Sequence, residues 1–350
     1  MMRRALLLTV LLLFGGYAPA AIAAEVSKDR IDQILAMNPT QMAKTGAWTV
    51  SAYDRLMSYL NSIEDKEIRT LILDMANNPK SIVFNATAAP DALRTTPATG
   101  GPGHHQYPGG LAVHLLEVIE LSMGWMNTIE RVQGTRGTDR DLIIAQSFLH
   151  DWSKVWYNWD ESTGKVKKPD WFPKSWGGKK GISKWGWMGE HGLVVYAELL
   201  KRKAPKKILF GAAAAHFDPQ WDRDITDKEG KKQGLNAAIA EAAKVAGTDA
   251  PVLDKDQLRA EWFYATYTDG SWSFSHYVAG KNAHKWIRMV AKDIGIDPES
   301  PEASRLAWFV LSRISDFKLY KVYQDSGFSV DAVKGKILSV LKDSSAYEVM

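Results

Sequence analysis

The chain has 350 residues, eight histidines and no cysteine, so any transition metal must be held by imidazole and carboxylate alone. His104 and His105 are adjacent, and His114 follows them. His150 precedes Asp151, with Lys154 three residues on. His191, His216, His276 and His284 complete the set. A neutral imidazole donates a lone pair, and a carboxylate offsets the charge of a divalent ion. With coordination positions left open, such an ion acidifies water, and a second ion neutralises a leaving oxygen. Nitrogen and oxygen donors without sulfur suit one or two ions of Mn, Fe, Co, Ni or Zn. A single histidine on an apolar helix face is more often a packed residue than a ligand, so the joint order carries the signal.

Those side chains are positioned by helices. Apolar spacings of three and four predict helices over Lys28–Met37, Ser51–Met75, Leu111–Gln133, Asp139–His150, Glu190–Lys203, Pro205–Ala215, Leu235–Val245, Pro301–Gln324 and Val330–Leu341. Strand-type alternation is scarce, so the fold is expected to be all-α. His114 then lies one turn into its helix, His150-Asp151 closes a second, His191 opens a third and His216 closes a fourth. Asp316 falls within the apolar Pro301–Gln324 stretch. Residues Ala86–Gly110, rich in Pro, Gly, Thr and Ala, read as a loop. His276 and His284 fit no pattern and read as structural.

The order of these residues resembles the HD superfamily of metal-dependent phosphohydrolases. His104-His105-Gln106-Tyr107-Pro108-Gly109-Gly110-Leu111, with His114 beyond it, is similar to the H-H-x-Y-x-G-G-L-x-x-H entry of HD proteins related to 3′→5′ exoribonucleases. His150-Asp151-Trp152-Ser153-Lys154-Val155 is similar to H-D-x-x-K-V. Gly186 to His191 approximates G-x-x-x-G-H with Glu190 inserted, and Arg313-Ile314-Ser315-Asp316 looks like the segment bearing the last ligand. The resemblance covers about Thr95–Tyr323. It implies an HD-type helical bundle in which His114, His150, Asp151 and Asp316 bind one metal. Asp151 would bridge to a second metal held by His191 and His216. It also implies that Lys154 faces a substrate phosphate and that His104 or His105 lies at the pocket mouth. His216 and Asp316 are 316 − 216 = 100 residues apart, which leaves Asp218 and Asp222 as nearer alternatives.

The implied organisation is a leader over 1–23, an N-terminal helical region over 24–94, the metal-binding domain over 95–325 and a C-terminal helix over 326–350. Insertions at 152–188 and 217–276 interrupt the domain. The first insertion holds seven of the fourteen tryptophans and eight lysines against three acids, with no arginine. It reads as a satellite core or, because it joins two ligand motifs, as a substrate-selecting wall to which Trp171 and Trp176 contribute. Arg3 and Arg4, the apolar run Ala5–Phe14 and the small residues Ala21-Ile22-Ala23 read as a cleavable signal peptide, hence an exported, periplasmic protein. Its removal leaves a formal charge of 4 − 2 = +2. That charge is too small to favour duplex DNA, and no stable membrane insertion is expected.

Three functions fit. The first is a phosphoester hydrolase in which metal-activated water attacks a nucleotide, short oligonucleotide or similar substrate. The second is an HD-fold di-iron oxygenase with the same ligand set. The third is a metal-binding module without turnover.

Overall fold

The computed structural model describes residues 26–99, 104–173, 189–217, 219, 225–226, 232–253, 256, 258–271 and 274–343. The expected all-α class holds. Helices α1 (Lys28–Ala36), α2 (Pro39–Thr45), α3 (Ala47–Asn61), α4 (Lys66–Asn77) and the short α5 (Ala92–Thr95) precede the long α6 (Gly110–Gln133). Then follow α7 (Arg140–Leu149), α8 (Gly189–Lys201), α9 (Lys206–Ala214), α10 (Leu235–Ala246) and α11 (Ala260–Asp269). A π-helical segment, Ser275–Gly280, leads into α12 (Lys281–Asp293), α13 (Pro301–Leu311), α14 (Asp316–Asp325) and α15 (Val330–Lys342). Sheet structure among the described residues is limited to three antiparallel pairs, including Asn158–Asp160 with Lys165–Lys167.

Two stretches that read as single helices are each broken by a capping residue. Ser51–Met75 divides at Ser62–Asp65, where the Asp65 carboxylate accepts from the backbone N–H groups of Glu67 and Ile68. Pro301–Gln324 divides after Leu311, and the Ser315 hydroxyl caps α14 by accepting from Lys318 N. A side-chain acceptor competes with the helical ladder and starts a new helix where the apolar period alone runs on. The segment 217–276 contains a second helix, α11, in addition to the expected one.

The apolar core is shared by the N-terminal helices and the later ones. Ile34, Leu56, Leu111, Phe148, Leu193, Phe309 and Ile337 belong to one buried cluster. Helix α3 packs on α6, and α1 packs on α13. Three further helices, α7, α9 and α11, pack against one another. Their N-terminal ends are gathered by Asp139. Its carboxylate caps α7 through Leu142 N, pairs with Lys207 of α9 at 2.9 Å and meets Arg259, before α11, at 3.4 Å. Their C-terminal ends consequently meet at the opposite pole.

The described part of the tryptophan-rich segment packs onto the main core. Trp152 is buried and donates through Nε1 to Met75 O at 2.6 Å. Trp152, Trp156, Trp171 and Phe172 stack edge to face in series, with ring centroids 4.6–5.4 Å apart, and Phe84 covers Trp171. Among the described residues these rings form no separate satellite core but are part of the main apolar cluster. Trp171 packs against it, and Trp176 lies outside the described residues.

Candidate metal centre

Each ligand-type side chain comes from a helix end. His150 caps the C-terminus of α7, His216 follows α9 by two residues, and Asp269 is the last residue of α11. Helix C-termini carry partial negative charge, so three of them converging favour a cation. His191 lies in the first turn of α8, and Ser153 fixes that turn by donating through Oγ to His191 O at 2.7 Å. His114 lies on α6, one turn past the glycine pair. Gly110 is required because a Cβ there would come within 1.9 Å of His105 O, and Gly109 has φ +86°. The two glycines let the loop of His104 and His105 fold back tightly onto the start of α6.

The donors form two triads. In the first, His114 Nε2 and His150 Nε2 are 3.2 Å apart, and Asp269 Oδ1 lies 3.3 Å from one and 3.4 Å from the other. Two donors bound about 2.1 Å from one ion sit about 3.0 Å apart at a right angle and about 3.4 Å apart at the tetrahedral angle. The three separations therefore fit the edges of a single coordination polyhedron. In the second, Asp151 Oδ1 lies 3.2 Å from His191 Nε2 and 3.8 Å from His216 Nε2.

Asp151 spans the two triads, and Asp269 belongs to the first. Asp151 turns its other oxygen, Oδ2, to His114 at 3.1 Å and His150 at 3.5 Å. Asp269 turns Oδ2 to His216 at 3.9 Å. Among the described residues the buried Oδ1 of Asp151 accepts no well-aligned hydrogen bond, despite the imidazole beside it. A buried, charged acceptor beside imidazole nitrogens without hydrogen-bond geometry suits the coordination of a cation.

Two of the far ring nitrogens are anchored. His150 Nδ1 lies 2.7 Å from Ser147 O, which can only accept, so Nδ1 carries the proton and Nε2 presents its lone pair. His216 Nδ1 lies 3.3 Å from the Tyr196 hydroxyl. Burial and the adjacent His191 push His216 down to about 3, and burial and Lys154 lower His191, so both rings are neutral donors. Burial works against a charge on His114, but the Asp151 and Asp269 carboxylates outweigh it and raise the ring to about 9. Burial likewise opposes the charge on Asp151. Lys154, His150 and the adjacent His114 and His191 rings hold it well below the usual carboxylate range. Lys154 Nζ is 2.5 Å from Asp151 Oδ2. The buried His/Asp groups could thus hold metal ions, two at most from these triads.

Comparison with known proteins adds a chemical direction. The chain is 27% identical over 165 residues to a dihydroneopterin 2′,3′-cyclic phosphate phosphodiesterase of Methanocaldococcus jannaschii. The match takes in 47% of this chain and 59% of that relative, so the chain spans about three fifths of the relative's length. No family model matches the chain, and no solved structure matches it.

The structure brings together five of the six residues that the resemblance implies: His114, His150, Asp151, His191 and His216. Asp316 belongs to neither triad, and Asp269 stands in its place. Asp316 is buried on the first turn of α14, where its Oδ1 accepts from Phe317 N at 2.9 Å. Burial, relieved in part by His105, raises it to about 6. Asp218 and Asp222 lie outside the described residues. A signal for Asp269 existed in the sequence: an acid on the last turn of a helix opposes the helix dipole and needs a positive partner.

His104 is half-buried with its ring centroid 4.9 Å from that of His114, at the edge of the cluster. Burial, then His114 and His105, hold it well below its ordinary value, so it too is neutral. His105 is buried, and its Nε2 is 2.7 Å from Glu117 Oε2.

Proposed function

We propose that this chain is a metal-dependent phosphoester hydrolase of the HD superfamily, acting on a small phosphodiester. The observation that carries the proposal is the pair of triads joined by Asp151. His114, His150 and Asp269 would hold one ion and His191 and His216 a second, with Asp151 shared. Ions in such a site supply Lewis acidity toward water and phosphoryl oxygens. The choice among Mn, Fe, Co, Ni and Zn follows the nitrogen and oxygen donor set.

The chain's own residues supply the rest. Asp151 and Asp269 keep their charge when buried and orient the imidazoles around them. Lys154, already against Asp151, offers a positive charge to a phosphoryl oxygen, where charge develops during hydrolysis. His104 borders the same space and presents a neutral ring to substrate. The segment 152–188 joins the His150-Asp151 motif to the α8 motif and would form one wall of the site. A cyclic phosphodiester is the first substrate class to try, because the relative named above acts on one; nucleotides and short oligonucleotides are next. Among the described residues no helix is long and apolar enough to cross a membrane. We further read residues 1–23 as an export signal, so that the enzyme works outside the cytoplasm. N-terminal sequencing of the exported protein should begin at Ala24.

The test is metal content together with hydrolysis. Purified protein loaded with Mn, Ni or Zn should release nitrophenol from bis-nitrophenyl phosphate and open a 2′,3′-cyclic phosphate, and chelation should stop both. Two irons per chain with an oxygen-sensitive visible band, and no phosphodiester cleavage, would favour the oxygenase instead. Bound metal with neither activity would favour a binding module.

A further inference from the structure

Beside the metal centre lies a second, partly buried polar group that the proposed chemistry does not use. Glu117 is on α6, three residues after His114. Its Oε2 meets His105 Nε2 at 2.7 Å. Its Oε1 accepts from Ser271 Oγ at 3.1 Å and Ser275 Oγ at 3.0 Å. These partners come from two different parts of the chain. His105 is in the loop that leads to His114, and Ser271 stands two residues beyond Asp269. Ser275 begins the π-helical segment that follows.

His105 is held from other sides as well. It has φ +52°, its carbonyl accepts from Ala98 N at 3.3 Å, and Gly110 packs against that same carbonyl. A residue so fixed is a strut. One carboxylate thus joins the approach to His114 with the exit from Asp269, the two ligands of the first triad that come from the flanks of the site. The second triad has different supports: the Ser153–His191 bond and the Tyr196–His216 contact.

We propose that Glu117 is a positioning residue that clamps the first triad, setting the separation of Asp269 from His114, while the second triad is independent of it. The proposal rests on the two-metal reading above. It assigns Glu117 no contact with substrate or ion. Loss of the clamp frees the end of α11 and lowers affinity at one metal position only. Outer partners of metal ligands set affinity by about 10–100-fold, and the lower end is expected for a partner acting through backbone.

The experiment is titration calorimetry with Mn²⁺ alone on the full chain, with helical CD as the folding control. In a His216→Ala background, which leaves the first position, Glu117→Ala should weaken Mn²⁺ binding about tenfold. In a His114→Ala background, which leaves the second, Glu117→Ala should not change it. Glu117→Gln, whose amide oxygen still accepts from both serines, should recover most of the affinity. If Glu117→Ala does not fold, the Ser271→Ala/Ser275→Ala double variant carries the same test and should show the same one-sided loss. Equal weakening in both backgrounds, or none in either, would overturn the clamp and leave the metal centre standing. Uptake of fewer than two ions by the unmodified chain would overturn the two-metal reading and the clamp with it.

Discussion

The two triads and the adjoining, partly buried group of His105, Glu117, Ser271 and Ser275 combine imidazoles with carboxylates side by side. They differ in how their polar atoms are satisfied. In the adjoining group each Glu117 oxygen meets a matched donor, 2.7–3.1 Å away. In the triads, imidazole nitrogens face one another at 3.2 Å and an Asp151 oxygen lacks an aligned donor. A satisfied network rigidifies, whereas imidazoles and carboxylates gathered at coordination-edge separations, with an acceptor left over, make a site for a cation. Residue type names the possible chemistry, and the hydrogen-bond inventory separates a strut from a ligand.

The largest effect that could break this contrast is at Asp151. Asp151→Ala should abolish metal uptake at both positions and lower phosphodiester hydrolysis by at least about 10²–10³-fold, with helical CD retained. Wild-type turnover after chelation and remetallation would show that the centre is elsewhere. Next is the exchange of carboxylates. Asp269→Asn should cost the first ion, read as one ion per chain by elemental analysis, whereas Asp316→Asn should keep both. The opposite result would restore Asp316 as a ligand.

A smaller effect separates the buried acids by pH. Asp316 has a folded value of about 6, above the ordinary carboxylate range, so between about pH 4 and pH 6 the folded state binds more protons than the unfolded one. Its contribution to stability is therefore best in acid and is lost as the pH rises through 6. Asp316→Asn should flatten that part of a Tm-against-pH curve and stabilise the protein at pH 7 by about 2 kcal/mol. Glu117 has the opposite sign. Burial opposes its charge, but His105 and its other partners hold it at about 2, so its contribution is present above pH 4 and lost toward pH 2. The smallest effect expected is at Trp171. Trp171→Ala should cost about 1–2 kcal/mol of stability, because the ring is only half-buried, and leave metal affinity unchanged. An equal loss of metal would join this aromatic cluster to the centre.

Much of this arrangement could be read from residue order, and the exceptions have physical causes. The glycine pair, the histidines and Asp151 stand close to helix boundaries that apolar periodicity and capping residues mark well. Asp269 escaped because it sits 269 − 216 = 53 residues beyond His216 in a polar stretch, where α11 is short and studded with aromatic residues. Asp316 drew attention because an acid among apolar residues looks purposeful. Burial explains it without a metal, through its bond to Phe317 N and its proximity to His105. Of His104 and His105, either of which was expected at the pocket mouth, His105 is enclosed by the turn that the glycines create, a property of backbone approach that spacing along the chain does not express.

Because α7, α9 and α11 are gathered at Asp139 and bring their other ends to the triads, they resemble three staves hooped at one end only. Cations would form the second hoop. Stripping them should leave mid-helix amides slow to exchange with deuterium while the last turns, around Leu149, Ala214 and Thr268, speed up together.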